Sequence, residues 1–334
     1  LTIEGVMHVG GISGILSKQT LNGATVENVA IVCDDARKGI VSGSLGEDST
    51  LNNVVVNNVT GADYYVGATY KAGSTHTLVV DGVVYEYLTN GQIKVDGAIV
   101  VSTSEALDAA IKAGETTILL KEGVYVIPNS AQKKTLVIKG LGQAANTKIA
   151  TNNTTGSYEG CNYALDGSTV TFENISINTP STVYIGYARC KATYKGCLFN
   201  GTYTLYDNST FENCVFNVSG DVYNVWTWGA LVATFTDCTF NSDGKAMLLY
   251  GQANTKLTIN DCVFNDNGGL ADLKAAIEIG NDYNSSYELI VNNTVVNGYE
   301  INDKGINTGT TLWANKNSMG QDKLNVVVDG VDVY

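Results

Sequence analysis

The chain has 334 residues, of which 36 are glycine, 34 asparagine and only 2 proline. Its 44% apolar content and mean hydropathy of +0.01 suffice for a sizeable core and exceed what a disordered chain carries. The 33 acidic residues outnumber the 20 basic ones for a formal charge of −13, which argues against nucleic acid or an anionic membrane as partner, because polyanions need a Lys/Arg surface.

In chain order, residues 1–62 read as Gly-rich β-solenoid repeats. His8-Val-Gly-Gly-Ile-Ser-Gly14 and Leu21-Asn-Gly-Ala-Thr-Val-Glu-Asn-Val29 are echoed by Gly39-Ile-Val-Ser-Gly43 and Ser49-Thr-Leu-Asn-Asn-Val-Val-Val56, a period of about 29 residues. The glycines are expected to let the backbone turn tightly between short strands. These runs resemble the Gly-Gly-hydrophobic-x-Gly repeats of bacterial surface solenoids, and the chain reads as a piece of a longer one. Residues 63–99 read as a β-hairpin connector, with Asp81-Gly82 between Leu78-Val-Val80 and Val83-Val-Tyr85.

Residues 100–334 read differently. Ser104-Glu-Ala-Leu-Asp-Ala-Ala-Ile-Lys112 has apolar residues at helical spacing behind Ser104 as cap and ends at Gly114. The strands Thr116-Thr-Ile-Leu-Leu120 and Gly123-Val-Tyr-Val-Ile127 follow. Beyond them one motif recurs, written most clearly as Ser209-Thr-Phe-Glu-Asn-Cys214-Val-Phe-Asn217. Cys197, Cys238 and Cys262 occupy the Cys position of three further copies, and Ile175 and Thr294 replace it in two more. Spacings of 22, 17, 24, 24 and 32 residues between successive copies are those of a solenoid whose loops vary. Stacked coils make the cysteines an inward ladder of small apolar fillers rather than metal ligands. The asparagines three residues later, from Asn178 to Asn297, are expected to stack their amides and to take left-handed angles at a turn.

The helix followed by a strand with Gly-x-Tyr resembles the start of the right-handed parallel β-helix proteins of the pectate-lyase-like superfamily, over about residues 101–334. That resemblance implies an all-β fold, a right-handed parallel β-helix solenoid with a short N-terminal capping helix, here preceded by the smaller Gly-rich region. It spans lyases, hydrolases, phage tailspikes and adhesins, so it implies no single reaction. In style the chain is similar to extracellular proteins of gut Bacteroidetes or their phages, which implies a secreted, cell-surface or virion-surface location. The last segment, Leu324 to Tyr334, reads as a strand pair turning at Asp329-Gly330.

Each coil carries a second strand. With Ile185, Leu205, Thr227, Leu249 and Ile279 inward, alternation places Tyr206, Trp228 and Tyr250 on the outer face, and Tyr184, Trp226 and Glu278 in the adjacent column. Exposed aromatics in a row suit a pyranose C–H face, with Asp207 and Gln252 placed to take hydroxyls. The alternative is a structural aromatic ladder, covered by loops or by another chain.

Chemistry is sparser. The set of acidic motifs used by polygalacturonase-like hydrolases is not assembled, and neither His8 nor His76 suggests a nucleophile pair with Ser or Cys. Polysaccharide lyases of this fold use an Arg or Lys base and Ca²⁺. Arg189, with Tyr187 or Lys191 assisting, is the candidate base, and Asp261, Asp266 and Asp272 are the candidate Ca²⁺ ligands. No cofactor is otherwise expected. The reading is a β-helix used for adhesion to a carbohydrate or cell-surface partner, with a lyase, and a phage fibre or passive spacer, as alternatives.

Overall fold

The computed structural model describes residues 1–35, 37–151, 162–178, 185–229, 231–243, 245–251, 254–268, 275–280, 284–299 and 310–334. The chain divides into two compact units, Leu1–Val100 and Val101–Tyr334. Among the described residues, no helix is long and apolar enough to cross a membrane.

The first unit is built of short parallel ladders. Thr2–Glu4, Thr25–Val32 and Val55–Thr60 form one, and Ser13–Leu16, Ser42–Leu45 and Val66–Thr69 a second. The stretch 63–99 thus begins with a strand that continues the parallel ladder. His76–Val80 also pairs in parallel with Ser49–Asn52, then turns at Asp81-Gly82 into antiparallel Val83–Tyr87. Leu45, Leu51, Val66 and Leu78 form the centre of its core. Gly39 and Gly43 do not serve as tight left-handed turns: neither has a positive φ, but a Cβ on either would collide with backbone, Ser42 for Gly39 and His8 for Gly43. Close approach of neighbouring segments, rather than turning, requires the Gly-rich repeats.

The second unit is a parallel β-helix. It opens with helix α1 (Ser104–Lys112), whose Leu107, Ala110 and Ile111 are buried. The cap is Thr103 rather than Ser104: its side chain accepts the Ala106 N–H at 3.1 Å, while Ser104 Oγ accepts the Val126 N–H at 3.0 Å. Three parallel sheets follow. Sheet I holds the first strand of each motif copy, for example Ser209–Glu212 and Leu231–Thr236, and sheet II the second, for example Val215–Asn217 and Thr239–Ser242. Sheet III stacks Ile185–Ala188, Thr202–Leu205, Val225–Thr227, Met247–Leu249, Ile277–Ile279 and Trp313–Asn315. At the far end Leu324–Val328 pairs antiparallel with Val331–Asp332.

Between sheets I and II lies the core. Phe172, Tyr194, Phe211 and Phe235 stack from sheet I, with centroids 5.5, 4.9 and 4.4 Å apart, and Phe199, Phe216, Phe240 and Phe264 from sheet II at 4.5, 4.7 and 4.6 Å. Cys197, Cys214, Cys238 and Cys262 line the corner, all buried and unpaired. The asparagine ladder is continuous: each of Asn200, Asn217, Asn241, Asn265 and Asn297 donates its Nδ2 to the Oδ1 of the one before, at 2.8 to 3.3 Å. These ladder residues do not take the left-handed angles. Asn174, Gly196, Asn213, Asp237, Asp261 and Asn293 do, with φ between 46° and 58°, one residue before the Cys position, where the chain turns its corner.

Candidate functional site: the outer face of sheet III

Strand alternation in sheet III buries one face completely. Leu205, Thr227, Leu249 and Ile279 are at most 1% exposed and point inward. The alternate residues point the other way in two columns, the first of them buried except at Trp226. The first runs through Tyr187, Thr204, Trp226, Leu248, Glu278 and Ala314 by direct strand register. The second lies two residues further along each strand: Arg189, Tyr206, Trp228, Tyr250, Gly280 and Lys316. Backbone bonds from Trp228 to Leu205, Gly280 to Leu249 and Lys316 to Ile279 keep this second column in register.

One strand departs from the expected frame. Ala188, not Ile185, pairs with Leu205, so the first column begins at Tyr187 and the second at Arg189. The next strand explains the offset: Ala192 pairs with Ser209, and four residues back from each lead to Ala188 and Leu205. Tyr184 lies outside the described residues.

The aromatic column is assembled as expected and is partly exposed. The Tyr250 ring centroid is 5.7 Å from that of Trp228 and 5.8 Å from that of Trp226, and the two indoles are 6.5 Å apart, edge to face. Buried Thr227 holds Tyr250 in place, its Oγ1 accepting the Tyr250 N–H at 3.0 Å. Tyr206 lies 5.1 Å from Tyr187. Over both rings sits the exposed Arg189 guanidinium, 5.3 Å from Tyr206 and 5.7 Å from Tyr187. Such contacts contribute about 0.5–1 kcal/mol at an exposed site and fix the cation's position. Two polar atoms on this face are left over. Trp226 Nε1 and Thr204 Oγ1, neighbours in the first column, are buried without a hydrogen-bond partner, and such groups normally find one.

Glu278 corrects its expected role. It falls in the column of Trp226, but it is 2% exposed, and its Oε2 accepts the Tyr223 hydroxyl proton and a bond from Lys316 Nζ at 3.3 Å. Tyr223 comes from 55 residues earlier in the chain, a contact that alternation within the strand does not encode. Burial, the neighbouring Glu278 carboxylate and the hydrogen bond to it hold the Tyr223 phenol well above its ordinary range. Lys245 stacks 4.6 Å from the Tyr223 ring and pairs with Asp221. Glu278 is thus a clasp on the face, not an open hydroxyl acceptor.

The remaining expected residues scatter. Asp207 Oδ1 accepts the Asn208 N–H at 2.7 Å in the turn after Tyr206, and Gln252 lies outside the described residues. Asp261 occupies a left-handed corner and accepts from Asn293 Nδ2 at 2.6 Å, and Asp266 accepts the Gly268 N–H at 2.9 Å. Asp272 lies outside the described residues, and among those described no three acidic, His or Cys side chains group as a metal site. A concavity of about 430 Å³ on sheet I, lined by Val232, Lys256 and Glu288 among others, includes none of the column's aromatics, and its Lys256 is already paired with Glu288 at 2.9 Å.

A Ser/His pair that sequence reading did not suggest exists in the first unit. His8 Nδ1 lies 2.6 Å from Ser44 Oγ, and Arg37, itself held by Asp35, reaches His8 Nε2 at 3.4 Å. With Arg37 donating to Nε2, Nδ1 carries the proton and donates to Ser44, the opposite polarity to base activation. Ser44 is also fully buried. The pair packs the repeat.

No protein-family model matches the chain, and no curated protein matches it. Among solved structures it is similar to a pectin methylesterase from carrot, at 12% identity over 70% of this chain and 83% of that one, with a TM-score of 0.44. It is also similar to sacteLam55A from Streptomyces sp. SirexAA-E, at 7% identity over 84% of this chain and 62% of that one, with a TM-score of 0.30.

Proposed function

We propose that this β-helix is a carbohydrate-binding protein, displayed outside the cell, whose ligand lies along the outer face of sheet III. The observation that carries this reading is the column of Tyr206, Trp228 and Tyr250, partly exposed and in register from coil to coil, with Trp226 beside it. Coils repeat about every 4.8 Å, so the column is a strip of rings on which sugar C–H faces stack. Recognition of this kind needs no catalytic group. Arg189 supports binding more than elimination, since its guanidinium rests on rings and the described acidic residues form no cation site near it.

The test is direct. Trp226 and Trp228 are two of the three tryptophans, and the third, Trp313, is 3% exposed. A glycan identified by array screening is expected to shift the intrinsic fluorescence and to retard the protein in affinity gels. Trp228→Ala, which removes the central platform, is expected to weaken retention by about tenfold or more, the scale of one lost stacking contact with its buried area. Retention unchanged in Trp228→Ala and in the Trp226→Ala/Trp228→Ala double variant would remove this face as the site.

A further inference from the structure

The outer face of sheet III is electrically lopsided, and we infer that its glycan carries one anionic group, a carboxylate or a sulfate on a terminal sugar, seated at Arg189. This inference rests on the carbohydrate reading above and adds the ligand's charge and its direction along the coils. The second column has a cation at each end: Arg189 just past the first strand, over Tyr206, and Lys316 just past the last. Lys316 is neutralised, since its Nζ lies 3.3 Å from the buried Glu278 carboxylate. Lys245, near the same end, is neutralised by Asp221.

Arg189 is different. Its side chain is exposed and lies over the Tyr206 and Tyr187 rings, and among the described residues no carboxylate pairs with it. Ring contacts use the positive charge and leave the planar N–H fork without an acceptor, and that fork matches a carboxylate or sulfate edge. In a chain of formal charge −13, an exposed guanidinium with no carboxylate partner among the described residues is the natural place for an anion.

The same balance limits the ligand to one anionic group. From Arg189 to Tyr250 the column covers three coil steps, roughly 14 Å, and beyond Arg189 those positions are aromatic. A second acidic sugar would face rings with no cation, in an overall negative field. The acidic sugar therefore sits at Arg189, and the neutral sugars run over Tyr206, Trp228 and Tyr250 toward Lys316.

The experiment is a binding screen of the full chain against matched oligosaccharide pairs, each neutral parent printed beside the same chain capped by a uronic acid, a sialic acid or a sulfate, with polygalacturonate as a polyanionic control. The capped member is expected to bind about tenfold tighter, the range of one charge-assisted bidentate contact. Raising the salt should narrow the gap. Arg189→Gln is expected to abolish the difference between the capped and neutral members, and Arg189→Lys to restore part of it. The carboxylate and sulfate arms identify the group. Equal binding of both members by the native chain, a preference that survives Arg189→Gln, or tighter binding of polygalacturonate would overturn the inference and leave the carbohydrate reading standing. Failure of every neutral and capped glycan to bind would remove both.

Discussion

The buried thiols show how far the interior departs from water. Burial pushes the Cys190 thiol up to about 12, and Cys214 and Cys238 reach about 12 first through the hydrogen bond to the preceding thiol of the stack, with burial adding to it. Burial raises Tyr194 and Tyr203 in the same direction. In the unfolded chain a thiol ionises near its ordinary 9.0. The stability these thiols contribute is therefore complete below about pH 9 and is lost as pH climbs toward 12. The urea midpoint is expected to fall as pH is raised from about 8.5 to about 11, and a midpoint that holds constant over that range would show that the thiols and phenols ionise alike in both states. The inward direction of these cysteines was legible from their place in an alternating motif. The residue before them was equally legible: Asn174, Gly196, Asn213, Asp237, Asp261 and Asn293 are the types that tolerate positive φ. Reading Asp261 as a Ca²⁺ ligand and the ladder asparagines as the turn residues overlooked that regularity, because the corner lies one residue before the Cys position rather than three after it.

Among the elements, the asparagine ladder ties the coils of sheet II to one another. Asn241 sits mid-ladder, donating to Asn217 at 2.8 Å and accepting from Asn265 at 3.0 Å, whereas Asn297 at the end makes one such bond and is exposed. Asn241→Ala removes two amide contacts at a half-buried site and leaves partners unsatisfied, so it is expected to cost about 1–3 kcal/mol in urea denaturation. Asn297→Ala is expected to cost well under half of that. Equal losses would mean that the ladder does not act through its stacked amides. Sheet III shows the limit of element-level reading. Its alternation and its aromatic column followed from a period of two, but the frame of its first strand followed from the pairing of the next strand in sheet I, and the burial of Glu278 from a tyrosine in a distant loop.

For the whole molecule, each unit has its own core, centred on Leu45, Leu51, Val66 and Leu78 in the first and on the two aromatic stacks in the second. Solenoid stability is a sum of coil and nearest-neighbour terms, so separate cores need not melt together. All three tryptophans, at 226, 228 and 313, belong to the second unit. Fluorescence then reports that unit alone, while far-ultraviolet circular dichroism reports both. The two probes are expected to give non-coincident urea transitions; superimposable curves would establish that the units unfold as one.

The sequence by itself determined the coiled architecture, the inward cysteines and aromatics, the stacked asparagine amides and the outward aromatic column. All of these follow from short periods that repeat from coil to coil and need no knowledge of what lies across the molecule. Only the tertiary structure decided which side chains of that face stay available. Residues far apart in the chain meet there: Tyr223 and Lys316 enclose Glu278, and Arg189 comes to rest on Tyr206. Such meetings depend on loop length and on strand register set elsewhere, and a local pattern carries neither.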